Sequence, residues 1–147
     1  MPLQPPPVDN NGNVVPHDHE GIAPNDGIIR RISEQQIISV NGKRKISSMA
    51  FKASSGVNAG MSVDLQALIE EAGIDPHEYV TTPRWIGSVR FEAGSLRQAG
   101  FRIGYHPFPE NPYHGEVWGD FTKAQQHRLQ QLAIWFVQIP DVIILAA

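Results

Sequence analysis

Cysteine is missing from this chain altogether. That absence excludes a disulfide framework, an iron–sulfur cluster, a thiolate zinc site and a cysteine nucleophile. Positive charge is scarce as well: 12 lysines and arginines stand against 15 aspartates and glutamates, for a net charge of -3. Nucleic acid is therefore not an expected partner, because phosphate backbones are held by a clustered positive field. Long apolar runs are also lacking. The longest near-continuous stretch, Leu132 to Val137, falls far short of the roughly 20 residues that span a bilayer. The N-terminus has no basic segment followed by an apolar run, so the expectation is a cytoplasmic protein without a membrane partner. No phosphate-cradling P-loop, dinucleotide glycine fingerprint, serine nucleophile elbow or HExxH pattern occurs, and no cofactor can be named from the sequence.

What is present suits one compact domain. The 147 residues are 41% apolar, enough for a core and too few for two domains. Residues 1–27 hold six of the twelve prolines (Pro2, Pro5, Pro6, Pro7, Pro16, Pro24), together with the turn formers Asn10, Asn11, Gly12 and Asn25. Proline removes backbone donors and Asn-Gly favours turns. This segment reads as an extended arm, a strap lying on the body or on a partner. Its His17-Asp18-His19-Glu20 run admits a metal reading, but a solvated charged turn is the commoner use of such a run.

The body, residues 28–147, mixes two periods. Residues 28–32 and 37–40 are rich in β-branched residues and read as strands, and Asn41-Gly42 predicts a hairpin over residues 36–47. Residues 52–61 read as a loop. Leu65, Leu68, Ile69 and Ala72 form one apolar stripe, which predicts a helix over 62–73 capped by Ser62, with Asp64 at its positive end. A strand over 85–91, a short helix over 92–99 and a strand over 101–106 follow, with the pairing between the two strands left open. The last helix is expected over 122–138, and Val142 to Leu145 as a final strand. The fold class is α+β: a mixed or antiparallel sheet packed by two or three helices, preceded by the proline-rich arm.

Chemistry concentrates in residues 105–120, which carry three prolines, two histidines, three acids and four aromatics. Prolines fix the backbone and aromatics bury area at small entropic cost, so such a loop can hold polar groups in one geometry. His106 ends a strand, and His114 opens another with Glu116 two residues on, on the same side. His106, His114 and Glu116 are the candidate catalytic set, an acid/base pair of imidazoles oriented by Glu116 or by Glu110. A divalent ion held by the same groups is the other use considered, and no residue is assigned to a metal. The competing structural explanation is a proline-braced connection whose histidines bond backbone carbonyls.

Arg30 and Arg31 in an early strand, with Ser47 and Ser48 further on, are the candidate ligand-binding residues, suited to a phosphate or carboxylate. Their order is similar to that of ADP-ribosyltransferases, which place an arginine on an early strand, a Ser-Thr-Ser stretch on another and a late glutamate for the nicotinamide ribose. Arg30 or Arg31, Ser47-Ser48 and Glu116 resemble that set. The likeness covers these few residues only. It departs from the pattern in having no third hydroxyl residue and no Glu-x-Glu or Gln-x-Glu pair, since position 114 is His.

Two functions from different classes follow. The first is a small partner-binding module of accessory, immunity or antitoxin type, contacting another protein through its arm and through Phe108, Tyr113 and Trp118, since aromatics anchor interfaces. The second is a small enzyme acting on a nucleotide or phosphorylated ligand, ADP-ribosyltransferase-like in the resemblance above. It requires Arg30 or Arg31, Ser48, His106, His114 and Glu116 to converge on one pocket of about 300–1,000 Å³.

Overall fold

A computed structural model describes residues 3–145; residues 1, 2, 146 and 147, at the ends of the arm and of the body, lie outside them. Six strands form the main sheet: β1 (Gly27–Ser33), β4 (Met61–Leu65), β5 (Trp85–Glu92), β6 (Arg102–Tyr105), β7 (His114–Trp118) and β8 (Ile134–Val137). Their order is β6-β7-β4-β1-β5-β8, and every neighbouring pair is antiparallel. A second sheet joins β2 (Ile37–Val40), β3 (Lys43–Ile46) and β9 (Val142–Ile143). The four helices are α1 (Gln66–Glu71), α2 (Pro76–Tyr79), α3 (Ala93–Gln98) and α4 (Lys123–Leu132). The class is α+β. Among the described residues, no helix is long and apolar enough to cross a membrane.

Local chemistry accounts for most of these elements. Asn41 and Gly42, at φ of 52° and 78°, turn the β2–β3 hairpin through the left-handed region that Asn and Gly tolerate best. Thr122 caps α4 by accepting from the Gln125 amide, and Asp75 caps α2 with Pro76 in the first turn. β5 and β6 run in the same direction, but β1, β4 and β7 lie between them, so α3 makes a long crossover rather than a tight parallel pair.

Two expected helices are shorter than their apolar spacing suggests. Residues 61–65 are strand β4 and only then does α1 begin, so Ser62 and Asp64 are ladder residues rather than cap and dipole partner. At the other end α4 stops at Leu132. Ala133 is extended, and Ile134–Val137 pair with β5 as the outer strand of the sheet. Tertiary pairing outweighs helical spacing where β-branched and aromatic residues follow one another.

The core lies on one face of the sheet. Ile28, Ile32, Val63, Leu65, Val89, Phe91, Ile103 and Val117 pack there against Leu96 of α3 and Leu129 of α4, with Phe51 edge-on to Phe91 at 6.0 Å. Each such side chain contributes about 1.5–3 kcal/mol by leaving water. A smaller cluster of Ile29, Ile69 and Val80, covered by Tyr79, Tyr113 and Phe136, occupies part of the opposite face. The rest of that face carries the polar groups discussed below.

The arm follows the free edge of β6. The His19 amide donates to Ile103 O at 2.8 Å, Asp18 Oδ1 accepts from the Ile103 amide at 3.0 Å, and His17 Nε2 accepts from the Tyr105 amide at 3.1 Å. Arg97 of α3 holds Asp18 and His19 O, and Ile22 enters the core at 3% exposure. The edge is thus closed by side chains and backbone in place of a seventh strand. Gly104 is required for this contact: a Cβ there would come within 2.3 Å of the Trp118 ring and 2.6 Å of His17. Both nitrogens of His17 and both of His19 are engaged in hydrogen bonds, which leaves those rings no free lone pair for an ion.

Candidate functional site

The polar face is assembled by register. β4 and β7 place Asp64 opposite His114 and Ser62 opposite Glu116, and β6 places Gly104 opposite Glu116. Residues opposite one another share a face, so Asp64, His114 and Glu116 project together, away from the main core. His106 lies one residue beyond β6 and extends the β6–β7 pairing, its amide donating to His114 O at 3.0 Å. The two imidazoles stand 5.2 Å apart, and Phe108 packs on both, at 4.6 Å from His106 and 4.5 Å from His114.

Both tautomers are set by acceptors. His114 Nδ1 lies 2.7 Å from His106 O; a carbonyl only accepts, so Nδ1 carries the hydrogen and Nε2 the lone pair. His106 Nδ1 lies 2.9 Å from Glu116 Oε1, and Glu116 Oε2 accepts from the Gly60 amide at 2.8 Å. The carboxylate therefore holds His106 with Nδ1–H, and among the described residues its Nε2 has no hydrogen-bond partner. Glu116 is 6% and His114 7% exposed. Burial pulls His114 below the usual histidine value, a pull opposed in part by its bond to the His106 carbonyl and by Glu116.

This depression has a consequence for stability. Near and below the ordinary histidine value, about 6.5, the unfolded chain binds a proton at this position that the folded chain does not. Stability due to His114 is therefore unaffected above that value, declines as the pH falls through it, and levels off once folded His114 itself protonates. Urea midpoints measured from about pH 8 to about pH 5 are expected to drop on the acid side, and to drop less in His114→Gln. An equal drop in both proteins would place the acid sensitivity elsewhere.

His114 also reaches a cleft of about 210 Å³, lined by Arg30, Arg31, Ser62, Val63, Asp64, Trp85, Asn111 and His114. The cleft lies where β1 and β4 part, since their pairing extends only over Ile28–Leu65 and Ile29–Asp64. Arg31 pairs with Asp64 through Nε to Oδ2 at 2.8 Å and Nη2 to Oδ1 at 3.1 Å. Asn111 Nδ2 donates to the same Oδ1 at 2.9 Å, while Asn111 Oδ1 accepts from the Tyr79 hydroxyl at 2.8 Å. Burial and the neighbouring Asp64 raise Tyr79, which keeps that hydroxyl a donor. Arg30 bridges the strand split from within: Nε and Nη2 donate to Ala50 O and Nη1 to Ser62 O. Among the described residues no carboxylate is bonded to it, and burial lowers its guanidinium to about 10.

The candidate residues fall into three groups and do not all converge on one pocket, since Ser48, His106 and Glu116 lie outside the cleft wall. Arg30, Arg31 and His114 line the cleft, with His106 and Glu116 adjoining it through His114. Ser47 and Ser48 stand apart: Ser47 caps a short turn and Ser48 meets Lys123. Trp118 packs inward, whereas Phe108 and Tyr113 are half-buried. Trp118 is 4% exposed and donates its indole N–H to Asn58 O, Tyr113 lies on Tyr79, and Phe108 covers the imidazoles. Asp64, Asn111, Tyr79 and Gly60 are site residues that the sequence reading passed over.

One ligand atom each from His106, His114 and Glu116 lies within 4.8 Å of the others, the donor types of a cation site. Each imidazole has its Nδ1–H held by an acceptor, a state that suits proton transfer and cation binding alike. No family model matches the chain, and neither a curated protein nor a solved structure matches it.

Proposed function

We propose that the chain is a small enzyme that moves a proton on a ligand seated in the cleft beside Arg31, with His114 as the base. The single observation that carries this reading is the state of His114. It is buried, held below the usual histidine value, fixed with Nδ1–H on the His106 carbonyl, and part of the cleft wall. A neutral imidazole with a free Nε2 accepts a proton at neutral pH, and the carbonyl on Nδ1 stabilises the cation that forms. His106, positioned by Glu116, presents a second exchangeable nitrogen next to it. Pairs of titratable groups in unlike surroundings are what acid–base chemistry needs.

The test is a combined stability and turnover panel of nucleotides, phosphorylated metabolites, NAD and divalent ions, run on wild type and on His114→Ala. A ligand at 100 times its dissociation constant adds about 2.7 kcal/mol, a visible shift for a domain of this size. The expected result is a compound that stabilises both proteins and is converted only by the wild type. Silence across the panel, or undiminished conversion by His114→Ala, would refute the reading.

The partner-binding reading has one observation in its favour. β2 is the edge of the three-stranded sheet, and its Ile38 and Val40 are exposed. An open apolar edge can accept a strand from another chain. Light scattering of the wild type and of Ile38→Lys separates this reading from the first: association lost in the variant favours it, and a monomer in both counts against it.

A further inference from the structure

We infer that the ligand of the cleft is a small molecule bearing one anionic oxyacid group, a phosphate monoester or a carboxylate, seated on Nη1 of Arg31 next to His114. The inference rests on reading the cleft as the reacting site, and it names the substrate class. Its first support is charge. Two guanidinium groups, Arg30 and Arg31, and one carboxylate, Asp64, line the cleft, and the remaining titratable group in the wall, His114, is held towards its neutral form. Two cations against one anion leave one positive charge without an acidic partner in the wall.

The second support is the set of Arg31 donors left unused by Asp64. Arg31 uses Nε and Nη2 on Asp64, a side-on pairing that leaves Nη1 and its two N–H groups. Among the described residues no acceptor is bonded to Nη1. The Arg31 side chain is 22% exposed where Asp64 is 4% exposed, so the pair is open on the arginine side. Asp64 itself is fixed by Asn111, which Tyr79 fixes in turn. A fork held rigidly on one side and open on the other is suited to a second oxyanion.

Arg30 supplies the third support. It donates to two neutral carbonyls, and burial lowers its guanidinium to about 10, against the opposing pull of Asp64. An anion in the cleft would lessen the cost of that buried cation. The volume, about 210 Å³, is below the roughly 300–1,000 Å³ of drug-sized pockets. It is matched to one small anionic molecule and cannot enclose a dinucleotide.

Asp64 then becomes an internal competitor whose negative charge limits affinity, and this provides the test. Inorganic phosphate and acetate are titrated into the folded protein by calorimetry at constant ionic strength, with sodium chloride as control. Wild type is expected to bind one of the two anions beyond the chloride control. Arg31→Gln is expected to weaken that binding at least about tenfold, and Asp64→Asn to tighten it by about tenfold, the effect of roughly 1.4 kcal/mol. Stronger binding of phosphate assigns the group to a phosphate ester, and stronger binding of acetate to a carboxylate. Asp64→Asn keeps the test decisive if Arg31→Gln does not fold. No binding of either anion beyond chloride, wild-type affinity in Arg31→Gln, or weaker binding in Asp64→Asn would overturn the inference. The two proposals fail separately: turnover without anion binding sinks only this one, and anion binding with full turnover in His114→Ala sinks only the acid–base reading.

Discussion

Replacing Arg30 by Met is expected to destabilise the fold by a few kcal/mol, about 1–3 kcal/mol for each buried carbonyl left without its donor. The side chain fills the split between β1 and β4 and makes three hydrogen bonds to Ala50 O and Ser62 O. Two effects oppose each other. Removing a buried cation relieves desolvation, the same cost that lowers its guanidinium to about 10, and an apolar side chain of similar length keeps much of the packing. The acceptors, however, are backbone carbonyls that no substitution at position 30 removes. Left without donors beside the core, each forfeits about 1–3 kcal/mol, and this loss is expected to prevail. Arg30→Lys should lie between the two proteins, since one ammonium cannot reproduce the fork. Urea denaturation decides the matter. A Met variant as stable as wild type would show that the strand split closes without Arg30.

The largest expected effect on chemistry is at His114. If it is the base, His114→Ala should lower turnover by about 10²–10⁴-fold while leaving ligand affinity little changed, because its Nδ1 bond is to the His106 carbonyl and not to the arginines. Glu116→Gln should have a smaller effect, since Gly60 still holds the side chain and only the bond that positions His106 is weakened. The pH profile carries the mechanistic content. Burial holds His114 below the usual histidine value, so kcat/KM is expected to stay constant down through the range where a free imidazole would already be protonated, and to fall only below it. A profile that falls at or above the ordinary histidine value would assign the proton transfer to another group.

How much of this was legible in the sequence differs by element. The hairpin around Asn41-Gly42 was readable because the turn chemistry and the flanking β-branched residues agree, and β2 and β3 pair about that turn. The cluster of His106, His114 and Glu116 was readable as a set because alternation along a strand is local, and β7 places positions 114 and 116 on one face. Asp64 was not. Leu65, Leu68, Ile69 and Ala72 have helical spacing, and that drew Ser62 and Asp64 into a helix. The alternation of Met61, Ser62, Val63, Asp64 and Leu65, with burial on every second position as its expected signature, was the competing strand signal. Recognising it would have put Asp64 on the face of His114. Ile134 to Val137 misled in the same way, since a continuous apolar run fits a buried helix end as well as a strand. Asn111 and Tyr79 are brought to Asp64 by long-range packing alone, and no local pattern marks them. Ser47 and Ser48 show the reverse case, candidate residues that the fold leaves out of the cleft wall although their turn holds Arg30 through Ala50 O.

The central claim is that a neutral, tautomer-fixed His114 and an anion-seeking Arg31 belong to one site. Side-chain nitrogen NMR on the intact protein tests it most directly, following the His114 ring nitrogens against pH and then both His114 and the Arg31 guanidinium during a phosphate or acetate titration. The expected result is a neutral Nδ1–H imidazole at pH 7 that protonates only below the ordinary histidine value, with the His114 and Arg31 signals moving together as anion is added. A His114 ring protonated at Nε2, or an Arg31 signal that ignores the anion while His114 titrates normally, would contradict the account.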